Sequence, residues 1–159
     1  MTELTPLPSR HMVRSLLEDL VGRSVDLKDG NPMPAKTTNL FAVYVNERVA
    51  TAAVVLVNLE LAARLGGALG MLPKGGVDDA IAERDLYPML RDCCFVVLNV
   101  LASIFNAANA QHVRLYDMYG PGGSVPGDIQ SFASMSGNRI DVRISVAGYG
   151  DGLMSVIVR

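Results

Sequence analysis

Polar residues between Leu86 and Ala110 are few and fall at helical spacing. At about 100° per residue, Leu86, Met89, Leu90, Cys93, Cys94, Val97, Val100, Leu101, Ile104 and Phe105 form one wide apolar face. Arg91, Asp92, Phe95, Asn99, Ala102, Ser103, Asn106 and Asn109 share a narrow stripe opposite it, with Val96 at the border, expected to be partly covered. A surface helix carries a narrower apolar face than this. The pattern therefore predicts a helix over Leu86–Ala110 at the centre of a core, with one strip exposed. That strip holds amides, a carboxylate and a lone Phe, and function is expected there.

The other elements follow in chain order. Ser9 is placed to cap a helix with Val13, Leu16, Leu17, Leu20 and Val21 inward, and Gly22 to end it. Ser24–Leu27 reads as a short strand and Asp29–Pro34 as a loop. Leu40–Val45 and Val49–Val57 read as strong strands joined at Asn46-Glu47-Arg48. The second is apolar almost throughout, as in a central strand covered on both sides or by thick helices. Asn58 can cap a helix over Leu59–Leu72, which Pro73-Lys74-Gly75-Gly76 breaks, and a short helical turn begins at Asp78 or Asp79. His112–Met118, Arg139–Val146 and Leu153–Val158 are strands; Tyr119–Asp128 is a loop, and Gly148–Gly152 turns between the last two strands. No repeat at a period of roughly 20–50 residues is visible. Adjacent hairpin strands with grouped helices predict an α+β fold. Its antiparallel sheet packs against two main helices, and an N-terminal helix is added.

Composition narrows the function classes. The 159 residues fit a single domain over 1–159, and a hydrophobic share of 50% predicts a large core. A net charge of −2 leaves no basic field for nucleic acid or an anionic membrane. The N-terminus lacks the charged and apolar regions of a signal peptide, and no uninterrupted apolar run reaches about 18 residues. The chain is expected to be cytoplasmic. Cys93 and Cys94 are expected to be reduced and mostly buried, as small hydrophobes rather than a redox pair.

Several stretches fail as chemical motifs. Gly120-Pro121-Gly122-Gly123-Ser124 lacks the Gly-Lys-Ser/Thr of a phosphate loop, and no helix follows it directly. Gly66-Gly67 within a helical pattern points to close helix packing, and Asp78-Asp79 to a helix start, where carboxylates are favoured anyway. His11 reads as a solvated side chain. No His/Cys cluster has zinc spacing, and the histidines form no recognisable triad.

The central helix and its neighbours resemble the CheC/CheX/FliY family of bacterial chemotaxis phosphatases. Thr51–Val57 running straight into Asn58–Leu72 is similar to the family's strand, Phe-Pro, helix segment, with Val57-Asn58 in place of Phe-Pro. Val77-Asp78-Asp79 stands as the acidic linker. Leu98-Asn99-Val100-Leu101-Ala102-Ser103 resembles the stretch that follows the family's signature. The order of elements agrees from about residue 9 to 158.

The resemblance implies a site and a mechanism. The family's signature is Glu-x-x-Asn on an exposed helix face, inserted into the phosphorylated site of a response-regulator receiver domain. The amide orients the attacking water and the carboxylate engages the receiver's lysine. The receiver brings its own Mg²⁺, so no cofactor is expected. Such catalysis is phosphoryl transfer by positioning. The register that puts Asn99 on the family's Asn puts Val96 on its Glu, and a valine cannot pair with a lysine. Asp92 lies one heptad before Asn99, about 10 Å along the axis, too far to replace the Glu directly. Asn99 is the candidate catalytic residue, with Asp92, Phe95, Ser103 and Asn106 as candidate binding residues. Three readings stay open: a phosphatase using Asn99, a module that binds a receiver or another signalling protein through the stripe with weak or absent hydrolysis, and a merely solvated helix side. CheX-type relatives pair as dimers through sheet edges, and the strands here permit a homodimer or a monomer.

Overall fold

Strict alternation along the strands builds a sheet with two apolar faces. The computed structural model describes residues 5–106 and 112–159. The strands are β1 (Val25–Asp29), β2 (Leu40–Val45), β3 (Thr51–Val57), β4 (Arg114–Tyr119), β5 (Arg139–Val146) and β6 (Gly150–Val158). They form one six-stranded sheet in the order β1-β5-β6-β3-β2-β4. Every neighbouring pair is antiparallel, as the sequence predicts.

One face presents Leu40, Ala42, Tyr44, Val55, Val57, Ile144 and Val156 to three helices. These are α1 (Arg10–Val21), α2 (Leu59–Leu69) and α4 (Pro88–Leu101), with α3 (Lys74–Ala82) packed beside α2. The other face presents Phe41, Val43, Val45, Val54, Leu56 and Ile157 to Met33 and to α5 (Gly127–Ala133). Covering on both sides explains why β2 and β3 read as continuous apolar runs.

Local signals set most boundaries. The Ser9 hydroxyl accepts from the Met12 N–H, and Gly22 closes α1 at φ 70, a conformation that favours glycine. Asn58 Oδ1 caps α2 through the Leu61 N–H and also accepts from the Leu153 N–H, tying the helix start to β6. Gly66 permits the close helix packing expected of it: a Cβ there would run into the Leu90 carbonyl of α4.

Other boundaries move. α3 begins at Lys74 rather than Asp78, so Gly75 and Gly76 lie inside its first turn instead of breaking the chain. α5 was not predicted; it is short, and Ile129, Phe132 and Ala133 alone carry its buried side. The central helix is also shorter than Leu86–Ala110. It starts at Pro88, which occupies the first helical position, and passes into a 3-10 turn over Ala102–Phe105. Asn109 and Ala110 lie outside the described residues. Among the described residues, Pro88–Phe105 is the one helical stretch long and apolar enough to cross a membrane by length and composition, and its buried side lies in the core.

Candidate functional site

The inner side of α4 is fixed by Leu90, Cys94, Val97, Leu98 and Leu101, all buried. Burial pushes the Cys94 thiol pKa up to about 12, while Cys93 is half-buried; both thiols are free. The outer side carries the candidate residues. Asp92, Phe95, Asn99 and Ser103 are all exposed there, Phe95 at 42%. Among the described residues, no side-chain hydrogen bond or ion pair engages Asp92, Asn99 or Ser103. Their polar groups are turned to solvent.

Three stripe positions behave differently. Arg91 is half-buried and reaches from α4 to the Met118 and Gly120 carbonyls at 3.4 and 3.3 Å. Ala102 is buried. Asn106 spends its amide within the fold: Nδ2 donates to the Ala102 and Val113 carbonyls at 3.1 and 3.0 Å, and Oδ1 accepts from the Val113 N–H at 2.7 Å. It clasps the end of the helix to the approach of β4 while remaining exposed, with both Nδ2 hydrogens committed within the fold.

The width of the apolar face is corrected by the structure. Met89 and Val100, expected inside, are 60% and 37% exposed, and Val96 is 46% exposed. Together with Phe95 they flank the polar seam of Asp92, Asn99 and Ser103. The outcome is an exposed helix face on which apolar side chains border a narrow polar centre. Surface residues of this kind are ordinary singly, but four on one short helix form a patch.

The patch is not a pocket. Among the described residues, two hollows lie elsewhere, one of about 510 Å³ beside Met33, Arg139 and Asp141 and one of about 530 Å³ beside Arg64 and the β5–β6 turn. In the first, Arg139 donates to Asp141, and also to the Ala133 and Met135 carbonyls, while the Ser155 hydroxyl donates to Asp141. That network joins α5 to the sheet and has its groups satisfied. A flat, apolar-flanked helix face suits a protein partner better than a small molecule, which needs a concave site. Among the described residues no group of three or more His, Cys, Asp or Glu side chains could hold a metal.

No family model and no curated protein matches the sequence. Solved structures do match. The H. pylori FliM–SpeE complex aligns at a TM-score of 0.61 and 12% identity, over 92% of this chain and 79% of that one. The CheX–CheY–BeF3–Mg complex from Borrelia burgdorferi aligns at 0.53 and 8% identity, over 92% of each chain. CheX from Vibrio vulnificus aligns at 0.53 and 9% identity, over 94% of this chain and 95% of that one. The chain has the CheC/CheX/FliY-type fold. At these identities the likeness extends to the fold alone. Val96 is partly covered, as expected, and Met89 and Val100 are the surface residues that periodicity alone had placed inside. Their signal was present in the helical periodicity, since both adjoin the border that Val96 marks.

Proposed function

We propose that this CheX-like domain is a signalling module that docks on a response-regulator receiver domain through the outer face of α4, with weak or absent hydrolysis of the receiver's phospho-aspartate. The observation that carries the reading is the exposed α4 face itself, with Phe95, Val96, Met89 and Val100 bordering Asp92, Asn99 and Ser103. Burying such apolar side chains supplies affinity at roughly 25 cal/mol per Å². The unpartnered amide of Asn99 supplies a polar contact at the centre. CheX from Borrelia burgdorferi has been solved with CheY, BeF3 and Mg, which supports a receiver as the partner class.

The chemistry expected of the site follows from what it holds and what it lacks. Asn99 can place an amide beside a receiver's phosphoryl group and orient water there. Val96 offers no charge to the receiver's lysine. A charge-assisted contact of that kind is worth roughly 1.5–3 kcal/mol, or about ten- to a hundredfold in rate when made in the transition state. Any Mg²⁺ would come with the receiver, and the domain would work in the cytoplasm.

The test measures decay of a phosphorylated receiver with native protein and with Val96→Glu, and binding by Phe95→Ala and Asn99→Ala. The expected result is slow native hydrolysis, faster hydrolysis by Val96→Glu, and weakened binding by both stripe variants. Brisk native hydrolysis would overturn the binding-module reading. Unchanged binding by both stripe variants would remove α4 as the interface.

A further inference from the structure

β2 contributes one hydroxyl to an otherwise apolar strand, and that hydroxyl meets the candidate surface from below. Tyr44 is fully buried, and its phenol donates to the Leu98 carbonyl of α4 at 2.6 Å. In a continuing α-helix the Leu98 carbonyl would accept the Ala102 N–H, four residues on. Here the Ala102 N–H turns instead to the Asn99 and Val100 carbonyls, and the 3-10 turn Ala102–Phe105 begins. A carbonyl oxygen can accept two hydrogen bonds, so the hydroxyl acts by direction: it draws the Leu98 carbonyl towards β2 and away from the line of the next α-turn. The same side chain also touches the tightened segment, since the rings of Tyr44 and Phe105 lie 5.1 Å apart and tilted by 57°. Burial raises the Tyr44 pKa well above its ordinary value, so the hydroxyl keeps its proton and remains a donor.

We propose that Tyr44 is a positioning residue for the α4 surface: by holding the Leu98 carbonyl it ends the α-helix just past Asn99 and fixes how Asn99 and Ser103 are presented to a receiver. The proposal rests on the reading of α4 as the docking face. A 3-10 turn eclipses residues three apart, which aligns Ser103 with Asn106. Asn106 is held by Ala102 and Val113, so the direction of Ser103 relative to Asp92 and Asn99 is set from both ends. In Tyr44→Phe the ring and its packing stay. The Leu98 carbonyl, buried and without its donor, then reclaims the Ala102 N–H, and the α-helix extends past Asn99. Ser103 turns relative to the rest of the strip.

Through-hydrogen-bond scalar couplings read this directly by NMR. Native protein should couple the Ala102 nitrogen to the Asn99 carbonyl carbon, and Tyr44→Phe should couple it to that of Leu98. Binding to a receiver activated with beryllofluoride should then weaken about five- to tenfold in Tyr44→Phe. Val55→Ala thins the same core face without touching this hydrogen bond and should leave the affinity unchanged. A native coupling from Ala102 to Leu98 overturns the proposal with no variant needed, as does undiminished binding by Tyr44→Phe. Equal losses in Tyr44→Phe and Val55→Ala would also overturn it, because general destabilisation would account for both. If native protein binds no receiver, the docking reading fails and takes the binding role of Tyr44 with it; the couplings still report separately whether Tyr44 shapes the helix.

Discussion

Gly66→Ala sets two opposed effects of known size against each other at the contact that seats α4. Alanine in a helix interior is favoured over glycine by about 0.8–1.0 kcal/mol. At Gly66, however, the added Cβ runs into the Leu90 carbonyl, with the Cys94 nitrogen 3.4 Å away. Both are backbone atoms, so no side chain can rotate aside, and α2 and α4 must separate. Overpacking of this kind costs about 1–3 kcal/mol, and a backbone neighbour puts it at the upper end. The net effect is a loss of about 2 kcal/mol, which for a domain of this size lowers Tm by about 4–8 °C. Gly76→Ala is the control: it also lies in a helix, but nothing stands within 4 Å of its added Cβ. It should leave Tm unchanged or raise it. Thermal melts of the two variants and native protein decide the matter. Gly66→Ala melting at or above native would refute the close α2–α4 contact.

Asn106→Ala removes three hydrogen bonds and leaves the Val113 N–H and carbonyl without that partner, so urea titration should show a loss of about 1–3 kcal/mol. Thiol alkylation followed by mass spectrometry should modify Cys93 slowly in native protein and Cys94 only on unfolding, because Cys94 is fully buried and Cys93 half-buried. Stability should also fall at alkaline pH. The unfolded Cys94 thiol ionises near about 8.5. The native thiol holds its proton up to about 12. The unfolded state therefore sheds its proton first, and the stabilisation present below about 8.5 is lost as pH climbs towards about 12. Denaturant titrations across that range should show a smaller decline in Cys94→Ala.

What the sequence disclosed depended on whether a local rule decided the outcome. Ser9, Gly22 and Asn58 mark helix ends through bonds to residues three or four away, so α1 and the start of α2 were legible. Continuous apolar runs on β2 and β3 and the period-2 alternation on β5 marked the sheet, since strand residues turn to alternate faces whatever covers them. α5 was not legible, because Pro126 and Gly127 at its start look like loop and its short apolar side becomes meaningful only against the far face of the sheet. Met89 and Val100 illustrate a different limit. Periodicity shows that they adjoin the polar stripe, but only the placement of α2 decides which apolar flank of α4 is covered. Asn106 belongs to the same class, since its partner Val113 becomes its neighbour only once the chain has turned towards β4.

The central claim is that the outer face of α4 meets a receiver domain. Titrating unlabelled beryllofluoride-activated receiver into isotope-labelled protein, and following the backbone amides, tests it residue by residue. The account predicts shifts that saturate and concentrate on Met89, Asp92, Phe95, Val96, Asn99, Val100 and Ser103, with β1, α5 and the β5–β6 turn unmoved. Saturating shifts centred on β4 or α5, with the α4 residues silent, would contradict it.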